Sequence, residues 1–559
     1  MEAEMTDVDV PILIVGAGPT GLTIARELAR HGVRDSIRLI DRAPEASRTS
    51  RALVVQARTQ ELYDDMGIIE SMQAAGEEVP GLHILFTNSS ADVRMDLRGL
   101  LTAPDIRSHY PSSWTISQNE TERVLAEHLA EFDLEIERDL AVIDMIADDT
   151  GVTVTTRRGD GTQQTIRAGY VIGCDGAHSA VRKASGIPFE GSTYEEEFIM
   201  ADAKLDWELP HGDLYVFPSK IGIMAAFSMP GQDRYRIFGN VKTPETGHSG
   251  EYSEPTHEEF QAMLDNRASV PAKVVEEYWV SRYRIHRRSV PRYRDGRIFL
   301  VGDAAHVHSP AGAQGMNTGI QDAYNLAWKL ALVQRGVVTG ANAEVLLDSF
   351  NDERHPVGVQ LLKTSDRMFQ IASGQGAAQA FMREFLAPTL AKTVLTRESF
   401  RRFFAGILSQ LAVHYPKSPL NLSEGTHWGE APEPGERARE ADVQIDGTAG
   451  RMYDVFRGTH HTVLLFTGHD EGSMTSIELA RIATKLEADF GDLVRARVVS
   501  AERFADHPMV IGDLEREVHK TYAVEKASAF IVRPDSYLAY RSQPVSADQI
   551  TAYLTSKLS

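Results

Sequence analysis

Val10–Asp41, "VPILIVGAGPTGLTIARELARHGVRDSIRLID", decides the fold. Val10–Val15 is a continuous apolar run, the composition of a parallel strand covered on both faces. Gly16-Ala17-Gly18-Pro19-Thr20-Gly21 breaks it, and a helix is expected from Pro19 to His31 with Leu22, Ala25, Leu28 and Ala29 on one face. Ser36–Asp41 reads as the next parallel strand, and its terminal carboxylate lies twenty residues past Gly21. The spacing gives each residue a task. The first glycine makes the tight turn, the second lets backbone approach a pyrophosphate, and the third lets the helix pack on the sheet. The helix N-terminus attracts phosphate charge, and Asp41 can accept hydrogen bonds from a ribose. A dinucleotide site is the expectation; a Gly-rich turn alone explains neither the flanking elements nor the acid.

Two further strands end in acids. Gly169–Lys183, "GYVIGCDGAHSAVRK", stops at Asp175-Gly176, with a short helix and Arg182 behind it. Arg297–Asn325, "RIFLVGDAAHVHSPAGAQGMNTGIQDAYN", stops at Gly302-Asp303 and continues as a loop of small residues. Asp303 can accept hydrogen bonds from a polyol such as the ribityl chain of FAD. The low-bulk loop lets a flat ring lie against bare backbone, and amides at Gly315, Met316 and Asn317 face the ring's electron-rich edge.

Between these stretches the pattern changes. "DLYVFP", "IGIMAAFSM", "DRYRIFGNV" and "YWVSRYRIHRR" are short alternating segments with turn residues between them, as in a mostly antiparallel sheet. Residues 191–287 are therefore expected to form a sheet inserted into a Rossmann-like α/β domain made of 1–190 and 288–365. A helical segment is expected over 366–415. Residues 416–440, rich in Pro, Gly and charge, read as a linker. The remainder, 441–559, has the order β-α-β-α-β-β-α, which resembles a thioredoxin-like domain; Asn421–Ser559 contains no cysteine, which excludes thiol–disulfide exchange there.

The three acid-bearing turns together resemble the flavin-dependent aromatic hydroxylases, single-component FAD monooxygenases such as p-hydroxybenzoate hydroxylase and phenol hydroxylase. Gly16, Gly18, Pro19, Thr20 and Gly21 match the family's ADP-binding turn, with Asp41 and Arg42 following. Asp175-Gly176 matches its "DG" motif, which the resemblance assigns to both FAD and the nicotinamide donor. Gly302-Asp303 matches its "GD" motif at the riboflavin. The resemblance also implies FAD contacts at Arg51, Gln118, Val142, Pro310, Gly315, Met316 and Asn317, and NAD(P)H contacts at Arg51, Asp175 and Arg182. Asn119 and Glu122 are also placed to form a helix capping box beside Gln118. Asp41 stands where the family usually has Glu. Leu53 stands where phenol hydroxylase has an active-site acid, a departure from that phenol-activating arrangement. The carboxyl-terminal stretch is similar to the redox-silent extension of phenol hydroxylase, implying a structural or subunit-contact role and allowing a homodimer.

The resemblance implies that NAD(P)H, with NADPH favoured over NADH, reduces FAD. The reduced flavin takes up O2 as a C4a-hydroperoxide, whose distal oxygen goes to a phenolic or polycyclic aromatic ring. Baeyer–Villiger insertion or epoxidation is the alternative chemistry, and a non-catalytic flavin-binding role the distant one. The halogenase stretch W-x-W-x-I-P is absent. Substrate should lie between the inserted sheet and the flavin. Alternate positions there include Tyr215, Phe217, Met224, Phe227, Tyr235 and Phe238, of which all but Tyr235 are candidate pocket residues; a period of two does not say which face is which. Few charged residues mark these strands, which favours a neutral or bulky phenol. No catalytic base is assigned.

Composition sets outer limits. Among 559 residues, 79 are acidic and 58 are Lys or Arg, a formal charge of -21 that repels nucleic acid and anionic membranes. Cys174 is the single cysteine, so no disulfide can form within the chain, and a cytoplasmic home is expected. The acidic N-terminus lacks a signal-peptide pattern, and no apolar run reaches bilayer length. His306 and His308, and likewise His460 and His461, lack a ligand set at metal spacing, so no metal is expected.

Overall fold

The computed structural model describes residues 8–47, 52–86, 92–219, 221–241, 254–309, 312–373, 397–426, 428–468, 474–501 and 508–558. The described residues form three eight-stranded sheets and one small three-stranded sheet.

In the first sheet Val10–Val15 is central. It runs parallel to Ile37–Ile40 on one side and to Gln163–Gly173 on the other, and Gln163–Gly173 runs parallel to Ile298–Leu300. Val15 stands opposite Ile40 and Gly173, and Gly173 opposite Leu300. The four strands therefore stop at one edge, where open α/β sheets place their ligands. Ile12, Leu13 and Ile14 are fully buried, as a strand covered on both faces requires. The helix Pro19–Leu28 covers one side and passes into a π-helical turn, Ala29–Val33, in which Gly32 takes φ +85°. It packs on the helix Gly315–Gln334, which follows the third acid-bearing turn.

The second sheet runs in the order His306–Val307, Ala272–Ser289, Glu190–Trp207, Arg234–Val241, Gly222–Ser228, Leu214–Ser219, Gly81–Leu85, Asp92–Asp96. It is antiparallel except where Leu214–Ser219 meets Gly81–Leu85. Two of its strands thus come from residues 81–96, and its opposite edge is the pair of residues just past Asp303. This sheet is fastened to the first at both ends.

The third sheet contains His461–Phe466, Val494–Ser500, Ser528–Val532 and Leu538–Ser542, with the helices Ser476–Phe490 and Ala547–Lys557 packed through Leu479, Ala483, Ile550 and Leu554. A short strand, Val510–Gly512, and the helix Glu517–Thr521 complete the run. Its core is shared with Trp328, Leu332 and Leu346 of the helices behind the first sheet. Residues 416–440, expected as a linker, are bound into the fold rather than extended between domains. Leu422–Glu424 adds a strand to the third sheet, and Arg437, buried, reaches Glu61, Tyr453 and the Arg107 carbonyl. Proline and glycine content there reflects tight turns, not slack. The helix Gly340–Ser373 runs into the segment expected to be helical, and Glu398–Ser409 is a second helix within it; residues 374–396 lie outside the described ones.

Among the described residues no helix is long and apolar enough to cross a membrane.

Candidate active site

The three acid-bearing turns are neighbours in space. Gly16 N–H donates to the Ile40 carbonyl at 2.8 Å, Cys174 N–H to Val15 at 2.7 Å, and Val301 N–H to Gly173 at 3.0 Å. A cavity of about 660 Å3 opens at this edge, bounded by Gly18–Thr20, Gln118, Cys174, Gly176, Asp303 and Gly315-Met316 on one side and by the second sheet on the other.

The glycines fit a pyrophosphate cradle. A Cβ at Gly21 would stand 1.8 Å from the Gly16 carbonyl oxygen, and one at Gly16, where φ is +105°, 2.5 Å from the Cys174 oxygen. The first would force the helix off the strand end, and the second would part the glycine turn from the Cys174-Asp175 turn. Gly18 is different: its Cβ would meet only Glu122 Oε1, at 3.9 Å, so its backbone faces open space. The helix beginning at Pro19 has no side-chain cap, and first-turn amides have no intrahelical acceptor. Bare backbone, free helix amides and an acid at the next strand end are what an FAD diphosphate and ribose require, so the residues present fit the group.

Asp41 accepts from the Ala17 amide at 2.6 Å and the Ala43 amide at 2.7 Å, which fixes its carboxylate beside the glycine turn. Arg42 is exposed next to it. Val142 is buried on the adjoining strand Ala141–Ala147, which is held to this strand end by Leu140 N–H to the Asp41 carbonyl at 2.9 Å. Gln118 lines the cavity and donates to Glu122 at 2.8 Å. Burial pushes the Glu122 carboxyl up, against the Gln118 hydrogen bond and with help from Asp41. The expected capping box does not form. The helix starts two residues earlier than that box requires, at Gln118 with Ser117 as its N-cap, so Asn119 lies inside it and Glu122 turns to Gln118 instead.

Asp175 works through the turn it builds. Its carboxylate accepts from Ser179 Oγ at 2.5 Å and from the Ala180 and Val181 amides at 2.6 and 3.2 Å, capping the short helix behind it. Burial raises its pKa against those three bonds. Arg182 is buried and donates to the Ala304 and Ala177 carbonyls, each at 2.8 Å, with Phe189 3.8 Å beneath the guanidinium. It staples the second turn to the third. Gly302, at φ +61°, and Gly319 both pack on Thr20: a Cβ on either would come within 2.8 Å of Thr20 Oγ1. Asp303 is exposed at the cavity wall. Asn317 spends its side chain on the fold, accepting from Gln56 N–H at 2.9 Å and donating to the Val54 carbonyl at 2.8 Å, which leaves backbone amides at Gly315 and Met316 to face the cavity. Arg51 and Pro310 lie outside the described residues.

The sheet side of the cavity corrects the substrate reading. Phe227 and Phe238 line it, but Tyr215, Phe217 and Met224 do not. Those three, with Tyr235 and Ile237, fill the opposite face under the helix His257–Arg267, packed on Phe260, Met263 and Leu264. Pairing in register shows why. Phe227 lies opposite Arg236, Phe238 opposite Met200, Asp202 opposite Arg236 and Trp279, and Tyr283 opposite Phe198. One pleat face therefore carries Met200, Phe227, Phe238, Trp279, Ser281 and Tyr283 into the cavity. Trp279, Ser281 and Tyr283 alternate along Ala272–Ser289, and that alternation was the available signal for them; what the alternation lacked was a reference for which face it marked. The wall is also not free of charge. Arg236 and Arg284 line the cavity, Arg236 in a bidentate pair with Asp202 at 2.6 and 2.8 Å and Arg284 at 3.1 Å from Glu197. Each cation has a carboxylate partner, so the wall stays close to neutral. Arg236 also donates to the Ala52 carbonyl at 3.0 Å and ties the sheet to the loop beside Leu53.

A second cavity of about 300 Å3 adjoins the first, sharing Ala177, His286 and Val307 with it. His178, Arg182, Lys183 and Arg288 line it, and among the described residues no carboxylate does. In a chain of formal charge -21 that is a marked local excess of positive charge.

Among the described residues no group of three or more His, Cys, Asp or Glu side chains could hold a metal ion. His306 donates to Asp322, and His461 packs edge-on against Trp328.

Residues 9–365 match the family model described as an FAD binding domain. The chain is similar to pentachlorophenol 4-monooxygenase of Sphingobium chlorophenolicum, 32% identical over 96% of this chain and 94% of that protein. It is similar to 6-methylpretetramide 4-monooxygenase of Streptomyces rimosus, 34% identical over 97% of this chain and 92% of that protein. Among solved structures it resembles an anhydrotetracycline hydroxylase from Streptomyces rimosus, with a TM-score of 0.73, 28% identity, and coverage of 98% of this chain and 99% of the other.

Proposed function

The chain belongs to the FAD-binding-domain family of flavin-dependent aromatic monooxygenases, and from that premise we propose that it consumes NAD(P)H and O2 to insert one oxygen atom into a phenolic or polycyclic aromatic substrate. FAD, held by these turns, would supply the redox chemistry, taking reducing equivalents from the donor and activating O2. The protein's own residues bind, orient and keep water out. The observation that carries the reading is one cavity with two unlike walls: backbone turns that fit a dinucleotide, and an aromatic sheet face that fits a flat substrate.

On the cofactor wall, Gly16, Gly18 and Gly21 admit the diphosphate, Asp41 takes the ribose and Asp303 the ribityl chain. Gly315 and Met316 present amides to the ring. Gln118 contacts the FAD from the cavity wall, and Val142 offers backbone to the adenine. On the substrate wall, Phe227, Phe238, Trp279 and Tyr283 offer faces and edges to an aromatic system. The paired Arg236 and Arg284 leave no net charge to select a small carboxylate. Relatives are named for pentachlorophenol and 6-methylpretetramide, a single-ring phenol and a polycyclic ketide, and both classes suit such a wall. The basic side cavity at His178, Lys183 and Arg288 suits the phosphates of the hydride donor, and NADPH carries one more phosphate than NADH.

The test is a screen of phenols and polycyclic aromatics for stimulated NADPH oxidation, with product mass and oxygen position determined. A ring hydroxyl is the expected product; a lactone or epoxide would replace the hydroxylase reading by oxygen insertion elsewhere. Purified protein is expected to be yellow. Asp303→Ala should weaken FAD binding by about 100-fold, the loss of hydrogen bonds to a buried polyol, and full retention of flavin would count against the assignment.

A further inference from the structure

Asp322 sits five residues beyond Asn317 on the same helix and is fully buried. Its Oδ2 accepts from the Gly302 amide at 3.2 Å and from His306 Nε2 at 2.8 Å, so it holds both ends of the turn that carries Asp303. Its Oδ1 accepts from Arg354 Nε at 2.6 Å. Arg354, also fully buried, belongs to the helix Gly340–Ser373 and spreads its other donors to the Thr318 carbonyl at 3.2 Å and Tyr415 Oη at 3.0 Å. Burial pushes the Asp322 carboxyl up, but Arg354 and His306 outweigh it and hold it below the ordinary range. One carboxylate thus joins the two flavin-facing elements of the cofactor wall, the strand-end turn and the start of the Gly315 helix.

The chain of contacts continues outward. Tyr415 packs on Tyr537, ring centroids 4.3 Å apart, and Arg533 lies over both rings. Arg533 makes a bidentate pair with Glu353, the neighbour of Arg354, at 2.6 and 3.0 Å. Adjacent residues on one helix therefore point two ways: Arg354 to the flavin turn, Glu353 to the third sheet.

We infer that Asp322 and Arg354 are positioning residues for the flavin, and that through Tyr415 the carboxyl-terminal domain is built into the cofactor site. The pair is neutral as it stands. Removing either partner leaves a buried, uncompensated charge beneath the first turns of the Gly315 helix, and its field reaches the ring.

The experiment compares full-length Asp322→Asn, Arg354→Met, the double variant and Tyr415→Phe, reading FAD dissociation constant and flavin midpoint potential. Each single charge variant should bind FAD about tenfold more weakly, as expected for a lost charged hydrogen bond. Their potentials should move in opposite directions: up in D322N, where a cation is left to favour the anionic reduced ring, and down in R354M. The double variant should bind more weakly yet return to the parent potential. Tyr415→Phe should weaken FAD binding about threefold with the potential unchanged, since it removes one hydrogen bond from the Arg354 guanidinium and no charge. Potentials that shift together, or variants that bind FAD as the parent does, would overturn the inference. If the single charge variants do not fold, the double variant and Tyr415→Phe decide it by the same criteria. Parent protein that binds no FAD would instead overturn the cofactor assignment.

Discussion

The cofactor wall of the cavity is mostly backbone, and the substrate wall is mostly side chain. Gly16, Gly18, Gly21, Gly302 and Gly319 contribute by what they lack; Phe227, Phe238, Trp279 and Tyr283 contribute by what they project. The first wall is made where four parallel strands stop together, and each of its pieces is a contiguous motif. The second is one face of a sheet, gathered as single alternate residues from four strands between residues 190 and 289. A wall of turns holds a ligand common to a family; a wall of side chains can be rewritten residue by residue. The two walls differ in how they should fail.

The largest effect is expected on the backbone wall. Gly21→Val places side-chain atoms where even a Cβ would stand 1.8 Å from the Gly16 oxygen, so soluble protein, if any, should carry no flavin absorbance. Next comes the face of the substrate sheet that points away from the cavity. Phe217 is fully buried in the core under the helix His257–Arg267. Phe217→Ala should cost about 3–5 kcal/mol of stability in denaturant titration, while the substrate KM of the folded fraction stays put. A changed KM would mean the two faces have been confused.

A buried acid at the seam of the first and third sheets touches neither wall and serves as the reference. Burial first, and then Glu61, push the Glu440 carboxyl up to about 7 against Arg437. The fold thus favours the protonated form. No penalty exists below the unfolded value near 4.5; it grows as pH rises from there to about 7 and is complete above it. Glu440→Gln should therefore stabilise the protein at pH 8, by at most roughly 3.5 kcal/mol at about 1.4 kcal/mol per unit, and hardly at all at pH 4.5. Thermal melts at the two pH values check this, and equal effects at both would refute it. The smallest effect belongs to the substrate wall. Trp279→Ala should raise the aromatic KM about tenfold, or roughly 1.4 kcal/mol, by loss of one aromatic contact, with FAD content unchanged.

Legibility followed the same division. Gly16–Gly21, Asp41, Asp175 and Asp303 could be located from sequence because strand, turn and acid are consecutive. Some of their tasks could not. Asp175 caps a helix and Arg182 binds two carbonyls, and only the folded chain shows that these polar groups are already engaged. Asp322 is illegible in the sequence for a related reason. Within "TGIQDAYN" it is one polar residue in a helix, and its partners lie at 302, 306 and 354. Residues 416–440 misled by composition: turn-forming residues look the same in a slack tether and in a strap carrying a strand and the buried Arg437.

By itself the sequence determined the Rossmann-like strand–turn–helix unit, the acids at three strand ends and the antiparallel character of the insertion, because each is a local pattern of period, spacing and glycine. Only the tertiary structure decided which pleat face meets the cavity, which charges along it are already paired, and how the third sheet reaches the flavin turn. Alternation fixes that neighbours on a strand point opposite ways but not which way is inward. That choice is made by what each face packs against, here Phe260, Met263 and Leu264 on one side and the cavity on the other.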